Sequence, residues 1–170
     1  MPKILNDVHD RAIAAARAEI DKSGYDHLTM RGIAERLNIS AGTLYHYFAD
    51  KEALIGALVK EDWEPVKAGL WKNAGKKRSA AEVCRLLYDT VSAFSRSHQN
   101  IFTSSSAKAL PSDAFHLRFV EELAELIFEK GVEKKYAVAA SELILAMVRE
   151  KQAYETYEHA IGKLTGEDNI

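Results

Sequence analysis

Between Thr29 and Lys51 the chain reads TMRGIAERLNISAGTLYHYFADK, and few backbones accommodate that stretch. Thr29 predicts the cap of a short helix whose Ile33, Ala34 and Leu37 face inward. Asn38-Ile39-Ser40 predicts a tight corner, because Asn tolerates the positive φ such a corner needs. Ile39 is then the apolar plug between two helices. Ser40 predicts the cap of the second helix, with Leu44 and Phe48 pointing back to the core at i, i+4. Ala41, Gly42, Thr43, Tyr45, His46 and Tyr47 are left facing outward. Asp50 predicts the cap of a further helix, with Glu52 near its positive end. Two short helices joined by so tight a corner have the helix-turn-helix shape.

The remainder supports an all-α chain. Prolines number only three among 170 residues, and the long segments are rich in Ala, Leu, Glu and Lys. A first helix is predicted from about Leu5 to Ser23, capped by Asn6 and ended by a left-handed Gly24. Its stripe is Val8, Ala12, Ala15, Ala16 and Ile20, with Arg17 and Asp21 facing water. The helix after Asp50 is predicted to reach about Lys72, with Leu54, Leu58, Val66 and Leu70 inside. Pro65 predicts a kink or break in it, and residues 73–78 a polar linker. Ser79 and Glu82 form a capping box for a helix striped by Val83, Leu87, Val91, Phe94 and His98. Residues 99–111 read as a loop or a short broken helix. Ser112 caps a helix to Lys130, striped by Phe115, Phe119, Leu123, Leu126 and Ile127 and stopped by Gly131. From Glu133 to Leu164 the pattern fits one long helix or two, broken near Glu150-Lys151-Gln152. Gly166 to Ile170 are expected to fray.

Several function classes are disfavoured. The single Cys84 forms no internal disulfide and fits a reducing cytoplasm. No apolar run approaches the roughly 18–20 residues of a membrane span, and MPKILNDVHDR has charges where a signal peptide would be apolar. Ser104-Ser105-Ser106 lacks an elbow motif or a partnered base, so no enzyme is expected. His98 and His116 have no metal-ligand spacing around them, and no cofactor is implied. Net charge is −2, and residues 1–52 hold seven Lys/Arg against eight Asp/Glu. Any contact with DNA must therefore come from a local patch.

The helix-turn-helix supplies such a patch. Its second helix presents side chains to the major groove. Small Ala41 and Gly42 allow close approach, Thr29, Thr43, Tyr45 and Tyr47 offer hydroxyls, and Lys51 offers a charge to the backbone. Downstream, Trp63, Phe94, His98, Phe102, Phe115 and Phe119 are candidates to line a cavity for an apolar or aromatic ligand, with His98 the best polar candidate.

Residues 11–54 resemble the N-terminal domain of the TetR family of one-component transcriptional regulators. The resemblance is carried by Ala15-Ala16, Gly24-Tyr25, Thr29-Met30-Arg31, Ile33-Ala34, the run Ile39 to Phe48, and Lys51-Glu52-Ala53-Leu54. It covers about a quarter of the chain; the remainder matches in layout. It implies a three-helix DNA-binding domain over residues 1–50 and a helical effector-binding and dimerisation bundle over 51–170. Thr29 and Arg31 would contact phosphate or the groove edge. Ser40, Ala41 and Gly42 would open the recognition helix, Thr43, Tyr45, His46 and Tyr47 would carry most of its contacts, and Lys51 would anchor a phosphate. Ala41 departs from the Lys or polar residue often found there, and Arg17 and Glu19 stand where apolar residues are common. The implied protein is a cytoplasmic homodimer joined through its last two helices. It binds a roughly palindromic double-stranded operator, most simply as a repressor released by a small apolar effector that moves the helix bearing Pro65. A competing reading is a helical small-molecule-binding protein that has lost operator recognition.

Overall fold

The computed structural model describes residues 3–102 and 113–166, with the side chains of 3–6 and 113–115 left aside. Its elements are α1 (Lys3–Ser23), α2 (Met30–Leu37), α3 (Ala41–Tyr47), α4 (Lys51–Ala74), α5 (Ala80–Ser97), α6 (Gln99–Phe102), α7 (Asp113–Phe128), α8 (Lys134–Arg149) and α9 (Glu158–Thr165). Short 3-10 turns occupy Tyr25–His27 and Tyr154–Thr156. The described residues contain no strand, so the fold is all-α.

The chain divides into two compact units, Met1–Glu64 with His98–Leu110, and Pro65–Ser97 with Pro111–Ile170. In the first, α1 packs on α2, on α3 and on the turn at Tyr25–His27. Ala12, Ala15, Ala16 and Ile20 are buried, as the stripe predicts; Ile13, outside the stripe, is buried as well, while Val8 is half-buried. The helix begins at Lys3, so Asn6 lies inside it rather than at its N-cap position. Arg17 does not face water beside Asp21. It lies between the buried Ala16 and Ile20 and turns to Asp62 of α4, at 2.5 Å. Gly24 has φ 84° and ψ 163°, a positive-φ state outside the left-handed helical region and open essentially to glycine alone. The α4 face in this unit is broad: Leu54, Ile55, Leu58, Val59 and Trp63 are all buried.

The second unit is built on α5, α7, α8 and α9. α7 packs against α8 and α5, and α9 against α8 and α5. Val83, Leu87 and Val91 are buried on α5, whereas Phe94 is half-buried. The capping box forms as read: Glu82 N–H donates to Ser79 Oγ at 3.2 Å, and Ser79 N–H to Glu82 Oε2 at 3.3 Å. Those bonds, with one from the Arg78 N–H, hold the Glu82 carboxyl below its ordinary range. On α7, Val120, Leu123, Ala124, Leu126 and Ile127 are buried. The Ser112 cap, the Ser104–Ser106 run and the side chain of Phe115 lie outside the described residues.

Three boundaries differ from the sequence reading. α4 runs unbroken through Pro65, whose missing N–H leaves one i→i−4 bond unmade without ending the helix. It also extends to Ala74, which is buried, so the linker begins only at Gly75. α7 stops at Phe128, and the turn to Gly131 follows it. The C-terminal region is two helices. The chain breaks after Arg149 at Lys151, φ 54°, and restarts through the turn at Tyr154. That break is fastened to α5 by the Tyr88 hydroxyl donating to the Gln152 carbonyl at 2.7 Å and by Arg85 Nη1 on Glu155 at 2.6 Å. Burial raises the Tyr154 hydroxyl well above its ordinary pKa.

Candidate nucleic-acid interface

The corner between α2 and α3 is closed by local chemistry alone. Thr29 Oγ1 accepts from the Gly32 N–H at 3.1 Å and starts α2. Asn38 sits in the left-handed region, φ 56° and ψ 45°. Its N–H donates to Glu35 O, and the Ile39 N–H donates to Ala34 O, both at 3.0 Å. This is the paired ending that a left-handed residue after a helix permits. Ile39 is half-buried, so it covers the corner rather than filling it as a sealed plug. Ser40 Oγ then accepts from the Thr43 N–H at 3.0 Å and starts α3.

α1 braces this corner from behind. Arg11 Nη2 donates to the Leu37 carbonyl at 3.2 Å, satisfying an orphan acceptor at the end of α2. The His9 ring stacks on Phe48 with centroids 5.0 Å apart. Leu44 and Phe48 are buried, which fixes the rotation of α3. Its other face is thereby presented to solvent. Gly42, Thr43, Tyr45 and His46 are exposed, and Ala41 and Tyr47 are half-buried. Thr29 and Arg31 are exposed on α2.

Gly42 is not explained by the fold. A Cβ there would meet only Ser40 Oγ, at an ordinary 3.7 Å. Glycine inside a helix costs about 1 kcal/mol relative to alanine. Lys51, in contrast, is engaged by its own unit: Nζ donates to the Tyr25 carbonyl at 2.7 Å and lies 3.9 Å from the centroid of the Tyr25 ring. Burial lowers its pKa, while burial and the Glu52 carboxylate raise that of Tyr25.

Of the six aromatic and imidazole candidates for a ligand, the side chain of Phe115 lies outside the described residues, and the other five divide between the two units. Trp63 is buried in the first unit. In the same unit His98 hydrogen-bonds Asp62 at 2.9 Å and lies 6.1 Å, ring to ring, from the exposed Phe102. Phe94 belongs to the second unit, in an open groove of about 500 Å³ lined also by Val66, Asp89, Thr90, Ala93 and Ser97. Phe119 is half-buried in that unit, outside the groove lining.

Asp62 is the residue the sequence reading missed. Burial pushes its carboxyl up, but the hydrogen bonds from Arg17 and His98 outweigh this and hold it below the ordinary range. A signal was present: Asp62 follows Leu54 and Leu58 at i+4 on an apolar stripe, and Arg17 follows Ile13 in the same way.

The family described as "Bacterial regulatory proteins, tetR family" matches residues 12–58, a span that includes the capped corner and all of α3. That match covers a little over a quarter of the chain, and over this stretch the chain is similar to the family. Among curated relatives, the HTH-type transcriptional regulator BetI of Paraburkholderia phymatum is 34% identical over 84 residues, 48% of this chain and 41% of BetI. The HTH-type transcriptional regulator UidR of Escherichia coli is 43% identical over 54 residues, 32% of this chain and 28% of UidR. The chain thus matches less than half the length of these relatives.

Solved structures extend the likeness of fold to both units. A possible TetR family transcriptional regulator from Streptomyces coelicolor superposes with a TM-score of 0.63 at 22% identity, covering 95% of this chain and 89% of that one. The regulator FadR of Bacillus subtilis, solved in complex with stearoyl-CoA, superposes with a TM-score of 0.56 at 19% identity, covering 94% and 98%. The helix-turn-helix followed by a helical bundle is therefore the architecture of this chain, as its sequence predicts. Among the described residues no helix is long and apolar enough to cross a membrane.

Proposed function

We propose that this chain is a sequence-specific, ligand-responsive DNA-binding transcriptional regulator of the tetR type, acting as a repressor. The observation that carries this is the doubly capped corner with α3 turned outward. Leu44 and Phe48 lock the helix on one side and leave Thr43, Tyr45, His46 and Tyr47 available on the other. Thr29 and Arg31 contact the backbone edge, Ser40, Ala41 and Gly42 let α3 approach closely, and Lys51 spends its remaining ammonium donors on a phosphate. The DNA-binding part ends by residue 50, and the helices from Lys51 onward carry effector binding and dimerisation.

Pairing through the last helices gives a homodimer whose two α3 helices meet a palindromic operator. Trp63, Phe94, His98, Phe102, Phe115 and Phe119 are the side chains offered to a largely apolar effector. The stearoyl-CoA in Bacillus subtilis FadR, a protein of the same fold, supports an apolar ligand class. Effector binding biases α4, which runs from the first unit into the second, and the operator is released by a population shift. The cytoplasm is the compartment this requires.

The test is a selection of genomic fragments with the full-length protein, followed by footprinting. A specific complex that weakens with salt supports the reading. No specific duplex from any fragment favours the second reading, a helical small-molecule-binding protein that has lost operator recognition. What favours that second reading is the charge balance of residues 1–52 and the absence of Lys or Arg from α3.

A further inference from the structure

The side chains on the exposed face of α3 are unusual in what they lack. Major-groove readout of guanine rests on the paired donors of Arg or Lys, of adenine on Asn or Gln, and of cytosine on Asp or Glu. α3 is AGTLYHY and contains none of these. Arg31 sits on α2, the helix that crosses the phosphate backbone in this motif. The base for which no bidentate partner is needed is thymine, whose 5-methyl group is read by apolar contact.

Thr43 is placed to make that contact. The Thr43 hydroxyl is turned onto Ser40, Oγ1 to Oγ at 2.8 Å, inside the cap that starts the helix. The part of Thr43 left for a ligand is its methyl group. Tyr45, 49% exposed, stands on the opposite flank of the helix, since residues two apart do not face each other. Gly42, which the fold would accept as alanine, clears the approach beside Thr43.

We propose that α3 reads thymine, the Thr43 methyl packing on the 5-methyl group of a T·A pair in each half-site. This rests on the DNA-binding reading above and adds the base class to it. Guanine and adenine at the contacted position lose to thymine because α3 offers them no paired hydrogen bonds.

The experiment begins with selection of duplexes from a random library by the full-length protein. Thymines in the recovered half-sites are then replaced by deoxyuridine, which removes the methyl and keeps the base pair. Kd is measured at one fixed salt concentration. Loss of one packed methyl should weaken binding about fourfold, and one in each half-site about fifteenfold. Thr43→Ser keeps the hydroxyl and removes the methyl, so its Kd should no longer separate the two duplexes. Thr43→Val keeps a methyl and should still separate them. That ratio is blind to any general loss of folding, which a thermal melt of each variant records separately. A selected duplex bound with the same Kd after deoxyuridine replacement overturns the inference and leaves DNA binding standing. So does a half-site specified by guanine alone. Failure to recover any duplex overturns the DNA-binding reading and this inference together.

Discussion

Arg17 of α1 and His98 after α5 share one carboxylate, that of Asp62 on α4: Arg17 Nη1 stands 2.5 Å from Asp62 Oδ2, and His98 Nε2 stands 2.9 Å from the same oxygen. Asp62 is the more enclosed partner of the Arg17 pair, with its side chain 22% exposed against 40% for Arg17. Asp62→Ala is therefore expected to cost about 1–2 kcal/mol and Arg17→Ala less, since the guanidinium is partly in water. Urea unfolding at pH 7 measures both.

The same carboxylate predicts a pH dependence. Its folded pKa is depressed, so the unfolded chain binds more protons and stability rises with pH through that window. The contribution is present above the unfolded value of about 3.9 and is lost as pH falls through the lower folded value. The urea-midpoint difference between wild type and Asp62→Asn should therefore persist at neutral pH and shrink below about pH 4.

The corner is expected to obey backbone sterics. Asn38 holds φ 56°. Asn38→Gly should be close to neutral, whereas Asn38→Val should lose about 1–2 kcal/mol. Thr29→Ala and Ser40→Ala should each lose about 1 kcal/mol, because each removes the acceptor for a helix-starting N–H. Chemical denaturation of the four variants decides the order.

On α3, fold and recognition should separate. Tyr45 is half in solvent, so Tyr45→Ala should change stability by no more than about 0.5 kcal/mol. It should nevertheless weaken binding to a selected duplex, and Tyr47→Phe should weaken it less. Gly42→Ala should leave the melting temperature unchanged or higher while reducing affinity. Intact affinity in all three would remove α3 from the interface.

Pro65 lies exposed within a continuous α4. Pro65→Ala restores the missing backbone bond and should raise stability by about 1–3 kcal/mol. If the proline lets α4 change shape, the variant should also release DNA less readily when an effector binds. Unchanged release, measured by titrating effector into the preformed complex, would confine Pro65 to a stability role.

Much of this molecule was legible because its chemistry is local. Thr29, Ser40, Asp50 and the Ser79–Glu82 box each satisfy groups within four residues, and Asp50 Oδ1 accepts from the Ala53 N–H at 2.7 Å as its position predicts. The rotation of α3 was legible for the same reason, since Leu44 and Phe48 are one helical turn apart. What escaped was set by partners distant in sequence. Arg17 reads as a solvated charge until Asp62, 45 residues away, is brought beside it. Lys51 reads as a cation pointing outward until the carbonyl and ring of Tyr25 fold beneath it. Pro65 reads as a kink or a break, and the helix does not break there because Leu58, Trp63 and Leu70 pack on both sides of it, which a single-residue rule cannot see. The division of Trp63, His98 and Phe102 from Phe94 between two units was beyond any stripe, because a stripe assigns a face and not the unit that face serves.

The chain leaves the first unit after Glu64 and re-enters it at His98. Asp62 stands two residues before the first of these crossings, and His98 is the first residue beyond the second. The Asp62 carboxylate therefore fastens together two stretches of the first unit that lie 36 residues apart in the sequence, and through Arg17 it fastens both to the helix that braces the corner.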